Sequence, residues 1–245
     1  MQHKKIGDVL MSSIICNNLK KIMPNAEIHY LVNKEALPVL EGNPNISRVI
    51  TLHPKHRTSV RTFIKFALQI RREHYDIVID AYTKLESWII VWLCNAKRRV
   101  SYRKKYRTFL YTDNLPRESV KNTPPGRMID LKLLLIQPFL NNVVPERHPQ
   151  IYLSEDEKQR AALLFKKHHV PAKKNLMLNI LGSCPLKTYP LEYIATLVNQ
   201  IVSQVDVNIL FNFLPDQKEE AQKVYELCND DAKNMLFLEV SLHNL

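Results

Sequence analysis

The sequence predicts an α/β protein with parallel sheets and two domains. Short apolar β runs alternate with helical patterns along most of the chain. Strands that alternate with helices usually form parallel sheets whose two faces are covered by the helices. The alternation breaks between 144 and 154, where Pro145 and Pro149 interrupt it. We therefore expect one Rossmann-like domain over residues 1–150 and a second, partial one over residues 151–245.

Helical spacing of apolar residues predicts the helices. Over 9–23 the apolar residues recur at this spacing from Leu10 to Ile22, and Pro24 ends the pattern. An amphipathic pattern with a basic outer face covers 59–72. The remaining predicted helices cover 36–40, 84–94, 156–169, 191–204 and 216–228.

Compact apolar runs predict the strands. The clearest is DIVID at 76–80, which is typical of a strand buried on both faces. The other predicted strands cover 27–32, 49–52, 99–102, 175–181, 207–214 and 235–240.

Composition limits the classes of function. A net charge of +11 favours anionic partners, which are nucleic acid, an anionic membrane surface or a phosphorylated substrate. No apolar run is long enough to cross a membrane, and the first residues lack a signal-peptide cleavage pattern, so we expect a cytoplasmic protein. Only four glycines occur, and neither glycine-rich phosphate-binding pattern is present.

The cysteines do not suggest a metal site. The chain has four, widely separated, with no pair at the short spacing of metal ligands. We interpret them as thiols in a reducing compartment, most of them buried, and we expect neither a metal nor a cofactor.

Asp8 is the first residue with a candidate chemical role. It follows Gly7 at the start of the first predicted helix. There it could cap the helix by accepting a backbone N–H. It could also act as a general base on an attacking hydroxyl within hydrogen-bond reach.

A second candidate is the loop Gly-Ser-Cys-Pro-Leu-Lys-Thr-Tyr-Pro at 182–190. It follows a predicted strand and precedes a predicted helix. Ligands of open α/β sheets bind beyond the carboxyl ends of strands, and helix N-termini favour phosphate groups. Lys187 either adds a positive charge to such a phosphate site or is a solvated loop lysine. The next strand-to-helix turn carries Glu219 and Glu220, whose carboxylates also suit a helix N-terminus for dipole reasons alone.

A dense basic cluster spans 97–107. It contains Arg98, Arg99 and Arg103, with Tyr102 and Tyr106 interleaved. It could be a solvated edge, a contact with the anionic sugars and phosphates of a lipid at a membrane surface, or a nucleic-acid surface. Since no recognised nucleic-acid module is present, we expect no nucleic-acid partner.

Three segments, in this order, resemble the heptosyltransferase family, glycosyltransferase family 9. They are IGDVLMSSIICNNLKKIMPNAEIHYLV from residue 6, DIVIDAYTKLESWIIVWLCNAKRRVSY from residue 76 and the loop at 182–190. The resemblance implies a GT-B fold, in which two Rossmann-like domains face each other across a cleft. It also implies inverting, metal-independent transfer of a sugar, with ADP-heptose as the expected donor. The implied acceptor is an anionic lipid-linked saccharide of the lipopolysaccharide core, used at the inner face of the inner membrane.

The same resemblance implies roles for individual residues. Asp8 would be the catalytic base. Ser183, Lys187 and Glu219 would bind the donor, with Lys187 at the phosphates and Glu219 at the ribose. The acceptor would be bound by Arg98, Arg99 and Arg103.

The sequence also departs from the family pattern. The family has an apolar strand before the Gly-Asp pair and a later Asp-Thr-Gly turn followed by a His, and neither is found here. We therefore expect a GT-B fold with the first strand and the C-terminal part missing, and weak or no activity of the chain alone. The alternative function is an inactive GT-B fragment or a binding scaffold without catalysis.

Overall fold

A computed structural model describes residues 1–2, 6–120, 126–182 and 184–237. The chain divides into two compact units, Met1–Leu153 and Ser154–Leu245. None of the helices in these described ranges is both long and apolar enough to span a membrane.

The first unit contains four helices and five strands among its described residues. Its strands form two parallel sheets, one with the order β1-β2 and one with the order β3-β4-β5. The strands are β1 (His29–Asn33), β2 (Arg48–Leu52), β3 (Ile77–Asp80), β4 (Arg98–Tyr102) and β5 (Asp113–Leu115). The helices are α1 (Ile6–Ile22), α2 (Val60–Arg71), α3 (Leu85–Cys94) and α4 (Arg127–Leu134).

Met1 and Gln2 link the two sheets of the first unit. The Met1 amine donates to the carbonyl of Ile79 (2.8 Å), and the Met1 carbonyl accepts from the amide of Ala81 (3.1 Å). The Gln2 amide donates to the carbonyl of Leu31 (3.1 Å). These two residues therefore lie between β1 and β3 and form hydrogen bonds to residues of both strands. A cavity of 440 Å³ lies beside them, between α1 and the two strands.

Helix α2 shows how local sequence sets the elements of this unit. The Ser59 side chain accepts a hydrogen bond from the amide of Thr62 and so caps the helix N-terminus. Phe63, Phe66 and Ile70 recur at helical spacing and are buried. Their burial fixes the face of α2 that packs against α3.

Helix α4 was not predicted, although it contributes heavily to the main core of the first unit. It packs against α1. Apolar residues from Ile129 through Ile136 are buried there, with the aliphatic part of Lys132 among them. Because residues 131–136 are all buried, this part of the chain lacks the amphipathic period from which the other helices were predicted.

The second unit is a three-stranded parallel sheet with the order β6-β7-β8 and four helices among its described residues. Strand β7 is almost wholly buried. The strands are β6 (Lys174–Asn179), β7 (Val207–Asn212) and β8 (Leu236–Phe237). The helices are α5 (Glu155–Lys167), α6 (Leu191–Gln204), α7 (Lys218–Leu227) and α8 (Asp230–Met235).

Candidate functional site

The carboxyl ends of β6 and β7 define one edge of the sheet in the second unit. The two strands pair in parallel with Asn179 opposite Asn212, and the Asn212 amide donates to the Asn179 side-chain oxygen. Because the strands are parallel, the loops that follow them leave from the same edge. Lys187 and Glu219, which the sequence places after two different strands, therefore lie on segments leaving one edge.

The loop after β6 is closed by its own hydrogen bonds. The Gly182 amide donates to Oγ1 of Thr188 (3.1 Å), which in turn donates to the carbonyl of Cys184 (3.1 Å). The Lys187 amide donates to the same carbonyl (2.9 Å). The Gln217 side chain, from the loop after β7, donates to the carbonyl of Gly182 (2.8 Å). The two loops are thus held together at the edge of the sheet.

Gly182 is the position where this loop requires a glycine. A Cβ atom built there would lie 2.4 Å from the carbonyl oxygen of Lys187 and 2.6 Å from its carbonyl carbon. Such an approach to backbone atoms cannot be relieved by rotating a side chain. The absence of a side chain at 182 therefore sets the position of Lys187.

The three predicted donor-side residues differ in what the structure shows of them. Lys187 is exposed, at the end of a 3₁₀ turn just ahead of α6. Glu219 is exposed in the first turn of α7, where its carboxylate suits the positive end of the helix. Ser183 lies outside the described residues.

Asp8 lies in the first turn of α1 and is half-buried. Its backbone carbonyl accepts from Oγ of Ser12 (2.9 Å). Burial raises the pKa of the Tyr102 phenol; the charge of Arg117 opposes this rise, and the charges of Asp80 and Asp8 add to it. Asp8 is therefore close enough to the phenol of Tyr102, in β4, to influence it electrostatically.

The predicted acceptor-side arginines are all engaged within the first unit. Arg98 forms a bidentate pair with Asp113 (3.0 and 3.1 Å), and this hydrogen bonding lowers the pKa of Asp113. Arg99 donates to the carbonyls of Leu110 and Ala96. Arg103 is the most exposed of the three and pairs with Glu118 (3.2 Å). Since exposed pairs are weak, Arg103 is the least firmly held of the three arginines.

A buried polar network at the carboxyl end of β3 was missed by sequence reasoning. Asp80 is fully buried, and its carboxylate accepts from the amides of Tyr82 (3.0 Å) and Thr83 (2.9 Å). It also accepts from the hydroxyls of Ser87 (2.8 Å) and Tyr111 (2.6 Å). The one available signal was an acidic residue at the end of an apolar strand. The network fixes the turn from β3 into α3.

Arg107 belongs to the basic cluster at 97–107, but its side chain is buried. Its guanidinium donates to the carbonyl of Tyr102 (2.9 Å) and to Oγ of Ser101 (3.3 Å). It also lies over the rings of Tyr111 (5.1 Å) and Trp88 (5.6 Å). Cation–π contacts of this kind explain how a charged side chain remains in this interior.

Among the residues that the structure describes, no group of three or more His, Cys, Asp or Glu side chains could hold a metal ion. Three of the cysteines are buried, and Cys184, on the loop after β6, is exposed.

Comparison with known proteins identifies relatives of the chain. The model of the family "Glycosyltransferase family 9 (heptosyltransferase)" matches residues 63–240. Lipopolysaccharide heptosyltransferase 1 of Campylobacter coli is 21% identical over 203 residues, which are 81% of this chain and 58% of that protein. Lipopolysaccharide heptosyltransferase 3 of Escherichia coli is 24% identical over 139 residues, which are 54% of this chain and 40% of that protein. The chain thus spans about half the length of these relatives, 58% of the first and 40% of the second.

Solved structures show the same fold. The family 9 glycosyl transferase from Veillonella parvula matches with a TM-score of 0.79 at 20% identity, covering 92% of this chain and 65% of that one. Escherichia coli ADP-heptose lps heptosyltransferase II matches with a TM-score of 0.70 at 17% identity, covering 96% and 70%. Escherichia coli heptosyltransferase WaaC with ADP matches with a TM-score of 0.65 at 15% identity, covering 99% and 74%. The predicted GT-B class of α/β fold with parallel sheets is confirmed.

Proposed function

Since the chain belongs to glycosyltransferase family 9, the heptosyltransferase family, we propose that it transfers a sugar from a nucleotide-activated donor to a saccharide acceptor. The proposed donor is ADP-heptose or a close analogue, because similar structures are of an ADP-heptose heptosyltransferase and of an ADP complex. The proposed acceptor is an anionic lipid-linked saccharide of the lipopolysaccharide core, because the relatives are lipopolysaccharide heptosyltransferases. We place the reaction in the cytoplasm, at the inner face of the inner membrane.

The single observation that supports this proposal best is the edge formed by β6 and β7. Its loops are tied by the Gln217–Gly182 hydrogen bond, and Lys187 stands immediately ahead of α6. A helix N-terminus and an ammonium group together suit a diphosphate. Glu219, on the neighbouring loop-to-helix turn, would accept from the ribose hydroxyls. Ser183 is proposed as a further donor contact on the basis of the family resemblance.

The proposed chemistry is a direct displacement. The acceptor hydroxyl loses its proton to the Asp8 carboxylate, and its oxygen forms a bond to the anomeric carbon of the donor. The bond from that carbon to the diphosphate breaks, and the nucleoside diphosphate leaves with the electron pair. The acceptor oxygen would attack the face of the anomeric carbon opposite the diphosphate, which makes the reaction inverting. Lys187 would stabilise the charge that develops on the phosphate, so that a metal ion is not needed for this role. Arg103, with Arg98 and Arg99, would contact the acceptor phosphates.

A transfer assay tests this function. The chain is incubated with ADP-heptose and core saccharide from heptose-deficient bacteria, and ADP release is measured with and without acceptor. We expect acceptor-dependent release that Asp8→Asn lowers by about 10²-fold or more. Asp156→Asn changes a carboxylate in the first turn of another helix, α5, and should have no effect.

The outcomes of this assay distinguish a glycosyltransferase from a non-catalytic scaffold. If ADP binds but no sugar is transferred, the chain is the non-catalytic scaffold. If Asp8→Asn retains the activity of the unmodified chain, the assignment of the base is wrong.

A further inference from the structure

Helix α3 is apolar on two opposite faces. Its inner face, with Ile90, Val91 and Cys94, is buried against the rest of the first unit. On its outer face Leu85 is 65% exposed and Trp92 is 68% exposed. A helix that is apolar all round is normally buried on every side, so the outer face of α3 lacks a covering partner among the described residues.

A neighbouring segment extends this outer face. The 3₁₀ segment Lys105–Leu110 carries Phe109, which is 77% exposed, and Tyr106, which is 65% exposed. Tyr106 packs edge-on against Trp88 of α3, with 5.8 Å between the ring centroids. We call Leu85, Trp88, Trp92, Tyr106 and Phe109 the aromatic face. An exposed apolar group of this kind on a protein surface marks an interaction site.

The aromatic face is held in place from below. Arg107 is buried under Trp88, while Ser87 of α3 donates to the buried carboxylate of Asp80. These contacts tie both segments to the sheet that contains β3 and β4. The face is therefore preformed and does not depend on a partner for its shape.

The charge around the face is strongly positive. Residues 84–109 contain eight basic side chains and one acidic one, Glu86. Arg57 neutralises Glu86 through two hydrogen bonds of 2.6 and 2.7 Å. Lys84 and Lys105 adjoin the aromatic face in sequence and are exposed, and Lys104 is half-buried.

We propose that the aromatic face, with Lys84, Lys104 and Lys105, binds the surface of an anionic phospholipid bilayer. Tryptophan and tyrosine favour the boundary between apolar and aqueous phases, and leucine and phenylalanine favour the acyl region. The lysines attract the negative lipid headgroups. The exposed Leu85 favours a bilayer over nucleic acid, because an aliphatic side chain neither pairs with phosphate nor stacks on a base. The positive charge disfavours pairing with a second copy of the same face.

The inference deepens the proposed function by naming the surface that would bring the chain to a lipid-linked acceptor. It is tested without sugar transfer, so the two can fail separately.

Intrinsic fluorescence gives a direct test. The chain contains two tryptophans, Trp88 and Trp92, and both belong to the aromatic face. The full chain is titrated with vesicles of phosphatidylcholine alone and with vesicles containing about one third phosphatidylglycerol. We expect a blue shift in emission and co-sedimentation with the anionic vesicles, both weakened by added salt.

Variants at exposed positions complete the test. Leu85→Ser with Phe109→Ser should weaken vesicle binding about tenfold while both tryptophans still report. Val144→Ser removes an even more exposed apolar side chain elsewhere in the first unit and should change nothing. Far-UV circular dichroism and urea unfolding followed by tryptophan emission check that each variant is folded.

Three results would overturn the proposal. The first is no blue shift with anionic vesicles, and the second is undiminished binding by the Leu85→Ser, Phe109→Ser variant. The third is a preference for another partner. Binding of a short RNA in place of vesicles assigns the face to nucleic acid, and a dimer in sedimentation velocity that the same variant abolishes assigns it to a second copy.

Discussion

Replacing Asp80 by alanine should strongly destabilise the first unit. The change leaves the amides of Tyr82 and Thr83 and the hydroxyl of Tyr111 without their acceptor in a buried site. Ser87 retains its hydrogen bond to the carbonyl of Lys84 (2.8 Å). Each orphaned donor costs about 1–3 kcal/mol, and neighbouring losses add less than fully. We expect the free energy of unfolding to fall by about 3–5 kcal/mol.

Backbone conformation adds to this effect. Thr83 has a φ of 61°, which a β-branched residue rarely adopts. The Asp80 carboxylate holds its amide in that conformation. The expected loss is a large part of the ~5–15 kcal/mol by which a domain is normally stable.

Urea unfolding followed by tryptophan emission measures the effect. Both tryptophans lie in α3, so the signal reports on the first unit alone. Tyr111→Phe removes a single donor and should cost about 1.5–3 kcal/mol, and the double variant should show that the two changes are not additive. A loss below about 1 kcal/mol for Asp80→Ala would refute the reasoning, since the network would then not stabilise the fold.

Three further predictions concern other regions. The pKa of Glu146 is lowered from 4.5 to about 2, chiefly by the hydrogen bond from the His148 side chain. Because the pKa of Glu146 is lower in the folded state, its contribution to stability is complete above about pH 4.5 and is lost as the pH falls towards 2. Glu146→Gln should therefore flatten the decline of the urea midpoint in that interval. Cys184, the exposed cysteine, should react first with a thiol reagent such as dithionitrobenzoate. Bound ADP should slow that reaction, and equal rates with and without ADP would count against a nucleotide at this loop. Gly182→Ala should displace Lys187 and weaken ADP binding about tenfold or more by calorimetry, while unchanged affinity would show that the loop adapts.

Much of the fold could be predicted from the sequence where periodicity is clear. The predicted helix at 191–204 coincides with α6, and 59–72 differs from α2 by one residue at each end. Helix α4 was missed because Asp130 and Lys132 interrupt its apolar residues, while Lys132 is buried together with Leu131 and Leu133, so charge and burial do not alternate at helical spacing. Strand β5 has three residues, too few for an alternating pattern to be visible.

The candidate site was predictable only in part, because its geometry depends on contacts between distant residues. The loops with Lys187 and Glu219 could be found because each follows a strand, and parallel pairing of β6 with β7 then brings them to one edge. The Asp80 network could not be found, because Tyr111 is 31 residues away along the chain. Arg107 seemed solvated because its neighbours in sequence are basic, while the rings that cover it lie elsewhere.

The most direct test of the proposed donor site is calorimetric titration of the full chain with ADP. We predict one bound ADP per chain and an affinity that Lys187→Ala lowers about tenfold or more, as loss of a charged phosphate contact requires. Lys174→Ala removes an exposed lysine from the opposite, amino-terminal end of β6 and should leave the affinity unchanged. Absence of ADP binding, or equal weakening by both substitutions, would contradict a diphosphate site at the edge formed by β6 and β7.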